Sequence, residues 1–193
     1  MTEHGKDDVT RAEILAAAER VFKKWGSVKT TMEDIAREAG KGKSTLYYYF
    51  QSKDEIFESL VTAELKDLLA KAKELAESGT TAREKLIRYL VGSLREINAK
   101  SSGYAIIKDE LRQNQKFIRK LREIFKEQEE QYLEGILRAG VKNREFTFIR
   151  ESEIRTAAQA VLGMVQALEL YLVLENEDSA QFDVAARLIA HAL

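Results

Sequence analysis

The absence of proline from all 193 residues is the feature that most constrains the fold, because proline is the residue that most strongly interrupts helices. Alanine, leucine, glutamate and lysine are frequent, and all four favour helices. Apolar residues recur every three or four positions between glycines, as on one face of an amphipathic helix. No segment shows the two-residue alternation of a strand. The sequence therefore predicts an all-α protein.

Capping signals predict where the first helices begin and end. Capping boxes that begin at Thr10 and Thr30 indicate two helix starts, and Gly26 and Gly40 indicate the corresponding ends. A third short helix is expected from about residue 43 to 50. Three short helices joined by tight turns should thus occupy the first fifty residues.

The helices become longer after this region. Ser52 and Thr81 stand at the starts of two long helical patterns, and a further long amphipathic helix is expected to end at Gly140. About nine helices are expected in all. We expect a small three-helix domain of residues 1–52, followed by a larger helical domain of residues 53–193.

Charge is distributed unevenly along the chain. The formal net charge is −1, but residues 20–53 contain eight Lys or Arg and three acidic residues, a local charge of +5. Residues 54–193 contain 21 basic and 24 acidic residues. A solvated helical surface could show the same imbalance, so the cluster indicates a polyanionic partner only together with a second signal.

The segment KGKSTLYYYFQSK, residues 41–53, supplies that signal. In a helix, Leu46 and Phe50 share a face that can enter a core, whereas Ser44 and Tyr48 lie opposite. Hydroxyls can bond phosphates and base edges, and phenol rings can pack on sugars and thymine methyls. Two short helices around a glycine turn, braced by a first helix, can place a recognition helix in the major groove. Flanking the outward face are Lys43, Thr45 and Tyr47.

Several residues near this face allow two interpretations. Thr30 and Thr31 place hydroxyls at a helix N-terminus, where backbone N–H groups favour a phosphate, but they could also serve only as N-caps. Tyr49 lies three residues from Leu46, so partial core packing competes with DNA contact. Trp25 is expected in the core.

The segments ILAAAERVFKKWG, TTMEDIAREAG and STLYYYFQSKDEIF resemble, in order and spacing, the tetracycline-repressor (TetR) family of bacterial transcription regulators. They cover about the first sixty residues. The resemblance implies a helix-turn-helix DNA-binding domain, a helical ligand-binding and dimerisation domain, and a repressor that binds a palindromic double-stranded DNA operator as a homodimer. Lys41 stands where family members commonly have an apolar residue, and we expect it to add a phosphate contact. The family's usual DNA contacts correspond here to Thr30, Thr31, Lys43, Ser44, Thr45, Tyr47, Tyr48, Tyr49 and Lys53.

The helix that carries Ile154 has two apolar stripes, which is more apolar surface than its own domain needs. This surplus predicts a two-fold dimer formed by the last two helices, unless both stripes are internal core. The candidate interface residues are Val161, Val165, Leu168, Leu172, Phe182 and Ile189.

Aromatic residues in the larger domain could line a mostly apolar pocket for a lipophilic or aromatic effector. Ordinary core packing is the alternative for each of them. The candidate pocket residues are Tyr89, Tyr104, Phe117, Phe125 and Met164.

Residues suited to catalysis or metal binding are sparse. The chain has no cysteine, and His4 and His191 lie near opposite ends without a partner at helical spacing. We therefore expect no catalytic residues, no metal and no cofactor. No apolar stretch approaches the ~20 residues of a membrane span, so a soluble cytoplasmic protein is expected. A helical-bundle enzyme and a protein-interaction module that binds no DNA remain the alternatives.

Overall fold

The computed structural model describes residues 3–99, 115–175 and 180–192, and its regular structure is entirely helical in these ranges. The all-α prediction is thereby confirmed. No helix in the described ranges combines the length and apolarity needed to cross a bilayer. The eight α-helices of these ranges are α1 (Glu3–Trp25), α2 (Met32–Ala39), α3 (Lys43–Tyr49), α4 (Lys53–Glu77), α5 (Ala82–Ala99), α6 (Gln115–Lys142), α7 (Ile154–Glu175) and α8 (Ala180–Ala192), and a 3₁₀ turn (Glu151–Glu153) precedes α7.

The described residues form two compact units. Residues 3–65 make up the first unit, and the remaining described residues make up the second. Helix α4 supplies its first turns to the first unit and its later turns to the second, because it runs across residue 65.

An apolar core holds together the helices of the first unit. Leu46 and Phe50 are both fully buried, as their spacing predicts. The rings of Phe22 and Phe57 meet edge to face with their centroids 5.6 Å apart. The Arg11 guanidinium lies 4.7 Å from the centroid of the Phe50 ring. Since Leu46 and Phe50 point into this core, the opposite face of α3 must point away from it.

The caps of the short helices differ in part from the prediction. Thr31, rather than Thr30, is the N-cap of α2: its hydroxyl accepts from the Asp34 N–H at 3.2 Å, and the Asp34 carboxylate accepts from the Thr31 N–H at 3.0 Å. Gly40 ends α2 with φ of 62°, as expected for a left-handed C-cap. The predicted start at Thr10 is wrong, because α1 begins seven residues earlier.

The core of the second unit includes residues of α4, α5, α6, α7 and α8. Helices α6 and α7 pack along each other, and α5 packs against α6, α7 and α8. Leu86 and Leu90 of α5, Leu133 of α6 and Val161 of α7 are each at most 1% exposed. Leu86 and Leu90 follow the apolar periodicity expected for α5, whereas Val161 was expected at a dimer interface and lies in this core instead.

Gly140 does not end its helix, contrary to the prediction. Helix α6 continues to Lys142, and the backbone then turns back at Arg144, which has a φ of 60°. The turn places the buried Phe146 ring directly against Gly140, where a Cβ would overlap the ring. Gly140 therefore permits a close approach of helix and returning chain rather than a helix end.

Replacing Gly140 with alanine should lower the free energy of unfolding by about 2 kcal/mol, because the added methyl group must displace a buried ring. Gly135 is the matched control, since its Cβ would meet nothing within 4 Å. Gly135→Ala in the same helix should raise stability by up to about 1 kcal/mol. Urea unfolding followed by circular dichroism measures both effects, and equal stability of the two variants would contradict the role given to Gly140.

Candidate nucleic-acid interface and ligand-binding unit

The outward face of α3 presents hydroxyl groups and rings to solvent. Tyr48 is 73% exposed and Tyr47 is 42% exposed. Ser44 is exposed one turn before Tyr48, and Thr45 is half-buried beside it. The structure thus brings these side chains to one accessible surface, which is the geometry that a recognition helix requires.

Lys43, at the start of α3, is paired with an acidic residue of α2. Its ammonium group donates to the Glu33 carboxylate, and both side chains are largely exposed. This hydrogen bond and the opposite charges lower the pKa of Glu33 and raise the pKa of Lys43. Lys43 must exchange this partner for a phosphate if it is to contact DNA.

Tyr49 is tied to α1 rather than presented to solvent. Its hydroxyl donates to the Asp7 carboxylate at 2.7 Å, and this hydrogen bond raises the pKa of the phenol. Its ring lies edge to face against the Tyr48 ring, with centroids 5.0 Å apart. Of the two interpretations offered by the sequence, this arrangement favours packing at the rim of the core, from which Tyr49 supports Tyr48.

The two threonines before α2 have different environments. Thr30 is only 2% exposed, and its hydroxyl donates to the Gly26 carbonyl at 2.7 Å. The prediction that Thr30 contacts DNA is therefore corrected, because a buried hydroxyl inside a turn cannot reach a phosphate. Thr31 is exposed and caps α2, so it stays a candidate contact at the helix N-terminus.

Two lysines of the candidate interface are engaged within the first unit. Lys53 Nζ donates to the Ser27 carbonyl at 2.6 Å and holds the turn between α1 and α2 against the start of α4. Lys41 Nζ lies 2.8 Å from the Glu13 carboxylate. Both side chains are half-buried, so these contacts give them a positioning role beside any contact with DNA.

Trp25 is exposed, contrary to its expected place in the core. The residue is 45% exposed, and Lys24 Nζ lies 4.9 Å from its ring centroid. By spacing Trp25 lies on the same helix face as the buried Val21 and Phe22, but it is the last residue of α1. The prediction that it is a core residue is therefore wrong.

Three of the five candidate pocket side chains are among those that the structure describes. Tyr89 and Phe125 are buried, but Met164 is 42% exposed on α7 and is removed from the pocket set. Tyr104 and the side chain of Phe117 lie outside the described residues. Met164 cannot line a pocket in the core that holds Tyr89, because its side chain is exposed on α7.

A buried polar cluster, which the sequence analysis missed, surrounds Tyr89. The Tyr89 hydroxyl donates to the Glu129 carboxylate at 2.9 Å, and both residues are buried. The Tyr89 and Tyr132 ring centroids lie 5.1 Å apart, and the Tyr132 hydroxyl donates to Glu77 at 2.9 Å. The cluster thereby connects α5, α6 and the end of α4. Glu129 follows the buried Phe125 by four residues, and this position on an apolar stripe was the available signal.

Two further charged residues extend this cluster towards α7. Arg122 donates to the Gln166 carbonyl at 3.0 Å. Burial raises the pKa of Glu169 to about 8, with a further increase from the charge of Glu129 and an opposing effect of Arg122. Burial also raises the pKa of Glu129, although its hydrogen bond from Tyr89 opposes this shift. Among the described side chains, no group of three His, Cys, Asp or Glu is placed to hold a metal ion.

The candidate dimer residues are divided between core and surface. Val161 and Val165 are at most 2% exposed within their own chain, so they are core residues rather than interface residues. Leu168 packs on Leu94, and Ile189 is half-buried against the main core. The side chains of Leu172 and Phe182 lie outside the described residues. Among the side chains that the structure describes in α7 and α8, the large apolar residues with high exposure are Met164, Tyr171, Val184 and Leu188.

Comparisons with known proteins give a consistent result. The model of the family described as "Bacterial regulatory proteins, tetR family" matches residues 14–60. The chain is 34% identical over 139 residues to the HTH-type transcriptional repressor KstR2 of Rhodococcus jostii (strain RHA1), covering 70% of this chain and 67% of that protein. It is 28% identical over 177 residues to the fatty acid metabolism regulator protein of Bacillus subtilis (strain 168), covering 90% and 87%. The transcriptional regulator FadR from Bacillus subtilis, solved in complex with stearoyl-CoA, shares the fold with a TM-score of 0.70 at 24% identity over 93% of this chain and 96% of that chain.

Glu33→Gln should strengthen binding to random duplex DNA by about two- to tenfold at low salt, because Lys43 no longer has to leave an ion pair. Glu38→Gln is the matched control, since Glu38 lies in the same helix but pairs with Arg20 of α1 at 2.7 Å. Fluorescence anisotropy with a labelled duplex measures both variants. If the two substitutions strengthened binding equally, the effect would be one of net charge and not of Lys43.

Glu169→Gln should remove part of the pH dependence of stability between about pH 5 and pH 8. In the wild type, Glu169 keeps its proton up to about pH 8 when folded but loses it near 4.5 when unfolded, so stability falls as pH rises through this window. One such group contributes at most about 1.4 kcal/mol per pH unit. Urea unfolding at several pH values measures the slope, and Glu127→Gln on an exposed position of α6 should leave it unchanged.

Proposed function

This chain belongs to the tetR family of bacterial regulatory proteins, and we propose that it is a ligand-responsive repressor that binds a palindromic DNA operator as a homodimer. The observation that carries this proposal is the exposed Ser44, Tyr47 and Tyr48 face of α3, which buried Leu46 and Phe50 hold outward. Among the relatives compared above, all are transcription regulators and none is an enzyme. An enzymatic bundle is therefore not favoured.

The structure supports a two-part set of DNA contacts. Ser44, Tyr47 and Tyr48 are placed to meet base edges, sugars and thymine methyls. Lys43 and Thr31 are placed to meet phosphates, with Thr45 and Lys41 at the edge of the same surface. Tyr49 and Lys53 hold the recognition helix in position through their hydrogen bonds to Asp7 and to the Ser27 carbonyl. In this proposal residues 1–52 act as the DNA-binding domain and residues 53–193 as the effector and dimerisation domain.

Exposed apolar residues on the last two helices support the proposed dimer. Met164 and Tyr171 of α7 and Val184 and Leu188 of α8 are between 42% and 66% exposed. Side chains of this type at this exposure favour an interface with a second copy. The revised interface is thus built on these four residues rather than on Val161 and Val165.

We further propose that the effector is lipophilic. FadR from Bacillus subtilis was solved in complex with stearoyl-CoA, and a second relative is a fatty acid metabolism regulator. An effector releases the operator only if it binds the DNA-incompetent arrangement more tightly, and a tenfold preference corresponds to about 1.4 kcal/mol per site. A repressor of this kind acts on chromosomal DNA in the cytoplasm.

Selection of bound genomic fragments by the purified protein tests the repressor proposal. We expect enriched fragments to share a palindrome whose half-site centres lie about one helical turn apart or somewhat more. Ser44→Ala and Tyr48→Phe should alter the preferred sequence, whereas Lys43→Gln should weaken all sequences alike and reduce the salt dependence. Recovery of random fragments with no common sequence would contradict the proposal.

Sedimentation velocity on the same protein tests the dimer. The double substitution Met164→Lys and Leu188→Lys should produce monomers at micromolar concentration, because each copy would place two charges in the apolar interface. Phe148→Lys is the control, since Phe148 is also an exposed apolar residue of the second unit but lies in the turn before α7. A wild type that sediments as a monomer would refute the homodimer.

A further inference from the structure

Most of the basic cluster of residues 20–53 is already engaged within the first unit. Six of its eight basic side chains pair with a carboxylate or, in one case, with a backbone carbonyl: Arg20, Lys23, Arg37, Lys41, Lys43 and Lys53. Lys24 and Lys29 are exposed, and among the described residues neither contacts a carboxylate or carbonyl oxygen. The uncompensated positive charge of the cluster is therefore concentrated where α1 turns towards α2.

The turn between α1 and α2 is closed by hydrogen bonds of its own. The Gly26 N–H donates to the Phe22 carbonyl at 2.8 Å, and the Thr30 hydroxyl donates to the Gly26 carbonyl at 2.7 Å. Two large apolar side chains stay outside it, since Trp25 is exposed and Val28 is 70% exposed. Residues 24–29, which we call the turn surface, thus combine two ammonium groups with two apolar side chains.

The turn surface is continuous with the candidate DNA contacts. Lys53 Nζ donates to the Ser27 carbonyl and lies 3.5 Å from the Val28 carbonyl, so the turn lies against the first residue of α4. Thr31, the exposed N-cap of α2, follows Lys29 by two residues. Two residues span at most about 7 Å, so Lys29 lies within reach of the same phosphodiester backbone as Thr31.

Charge favours duplex DNA as the occupant of the turn surface. The acidic residues that begin α2 do not neutralise it, because Glu33 pairs with Lys43, and Asp34 bonds both the Thr31 N–H and Arg37. Phosphates accept hydrogen bonds from ammonium groups and from an indole N–H. A second copy placed on the same surface would instead bring like charges together, which is unfavourable.

We propose that the turn surface, through Lys24, Trp25, Val28 and Lys29, binds the sugar–phosphate backbone of duplex DNA beside the groove that α3 enters. The two lysines contact phosphates, and the two apolar side chains pack against the sugars. The inference rests on the proposed DNA-binding function and adds a contact surface outside the recognition helix. Phosphates and sugars are common to all sequences, so this surface contributes affinity rather than choice of sequence.

The salt dependence of binding to a labelled duplex of random sequence tests the two lysines. Lys24→Gln and Lys29→Gln should each reduce the slope of log affinity against log salt by about 0.9, the contribution of one neutralised phosphate. Lys23→Gln is the matched control, because it removes the same charge from a lysine that is paired with Glu19. Its slope should equal that of the wild type. Fluorescence anisotropy measures the affinities, and unchanged melting temperatures would show that the three variants are folded.

The fluorescence of Trp25 gives a second measurement that needs no substitution. Trp25 is the only tryptophan in the chain, so its emission in the wild type reports on the turn surface alone. Bound duplex should cover the exposed ring, and acrylamide should therefore quench it less than in the unbound protein. Raising the protein concentration without DNA should leave the quenching unchanged.

Three results would overturn the inference. One is an equal change of slope in all three lysine variants, which would be an effect of net charge. Another is unchanged quenching of Trp25 when the duplex is bound, and the third is protection of Trp25 by protein concentration alone, which would assign the surface to a second copy. The fragment selection described above tests repression independently. A protein that selects a palindromic operator while Trp25 stays accessible would therefore refute the turn surface and leave the proposed repressor function in place.

Discussion

The burial of Leu46 and Phe50 is the contact on which the candidate DNA surface depends. A helix of seven residues is too short to be stable alone, so tertiary packing must supply its stability. The same two side chains also determine how α3 is rotated about its axis. Each fully buried apolar side chain of this size contributes roughly 1.5–3 kcal/mol. Stability and recognition in this unit consequently rest on the same core contacts.

The charged contacts around α3 differ in how readily they can be exchanged for contacts with DNA. Lys43 and Lys53 both belong to the basic cluster of the sequence, but one pairs with Glu33 at the surface and the other binds the Ser27 carbonyl. Solvent screens an ion pair at the surface, so Lys43 can exchange its partner for a phosphate. The half-buried Lys53 would leave an unpaired carbonyl if it moved. Two lysines of equal formal charge thus have different roles: Lys43 is available to a phosphate, and Lys53 holds the folded unit together.

The second unit buries a few polar residues in its interior, among them Ser93, Glu129 and Glu130. Buried Glu129 is stabilised by the Tyr89 hydroxyl, and a hydrogen bond to a charged group is worth about 1.5–3 kcal/mol. Loss of that donor would leave a buried carboxylate unsatisfied, so this arrangement specifies how α5 and α6 pack. Arg122 reaches both this interior, where it opposes the raised pKa of Glu169, and a surface groove between α6 and α7. Arg122 therefore links a buried polar cluster to a surface groove lined by charged residues of both signs.

The sequence by itself determined the helical class, most of the helices and the outward face of α3, because apolar periodicity and capping are local properties of the chain. It placed Leu46, Phe50, Ser44 and Tyr48 correctly for the same reason. Only the tertiary structure decided that Thr30 is buried, that Gly140 faces Phe146, and that Val161 and Val165 belong to their own core. The Tyr89–Glu129 pair likewise joins residues forty positions apart. The Val161, Val165 and Tyr89–Glu129 contacts depend on which helices become neighbours, and the Thr30 and Gly140 contacts depend on how the chain turns after a helix. Spacing within a single helix carries no information about either.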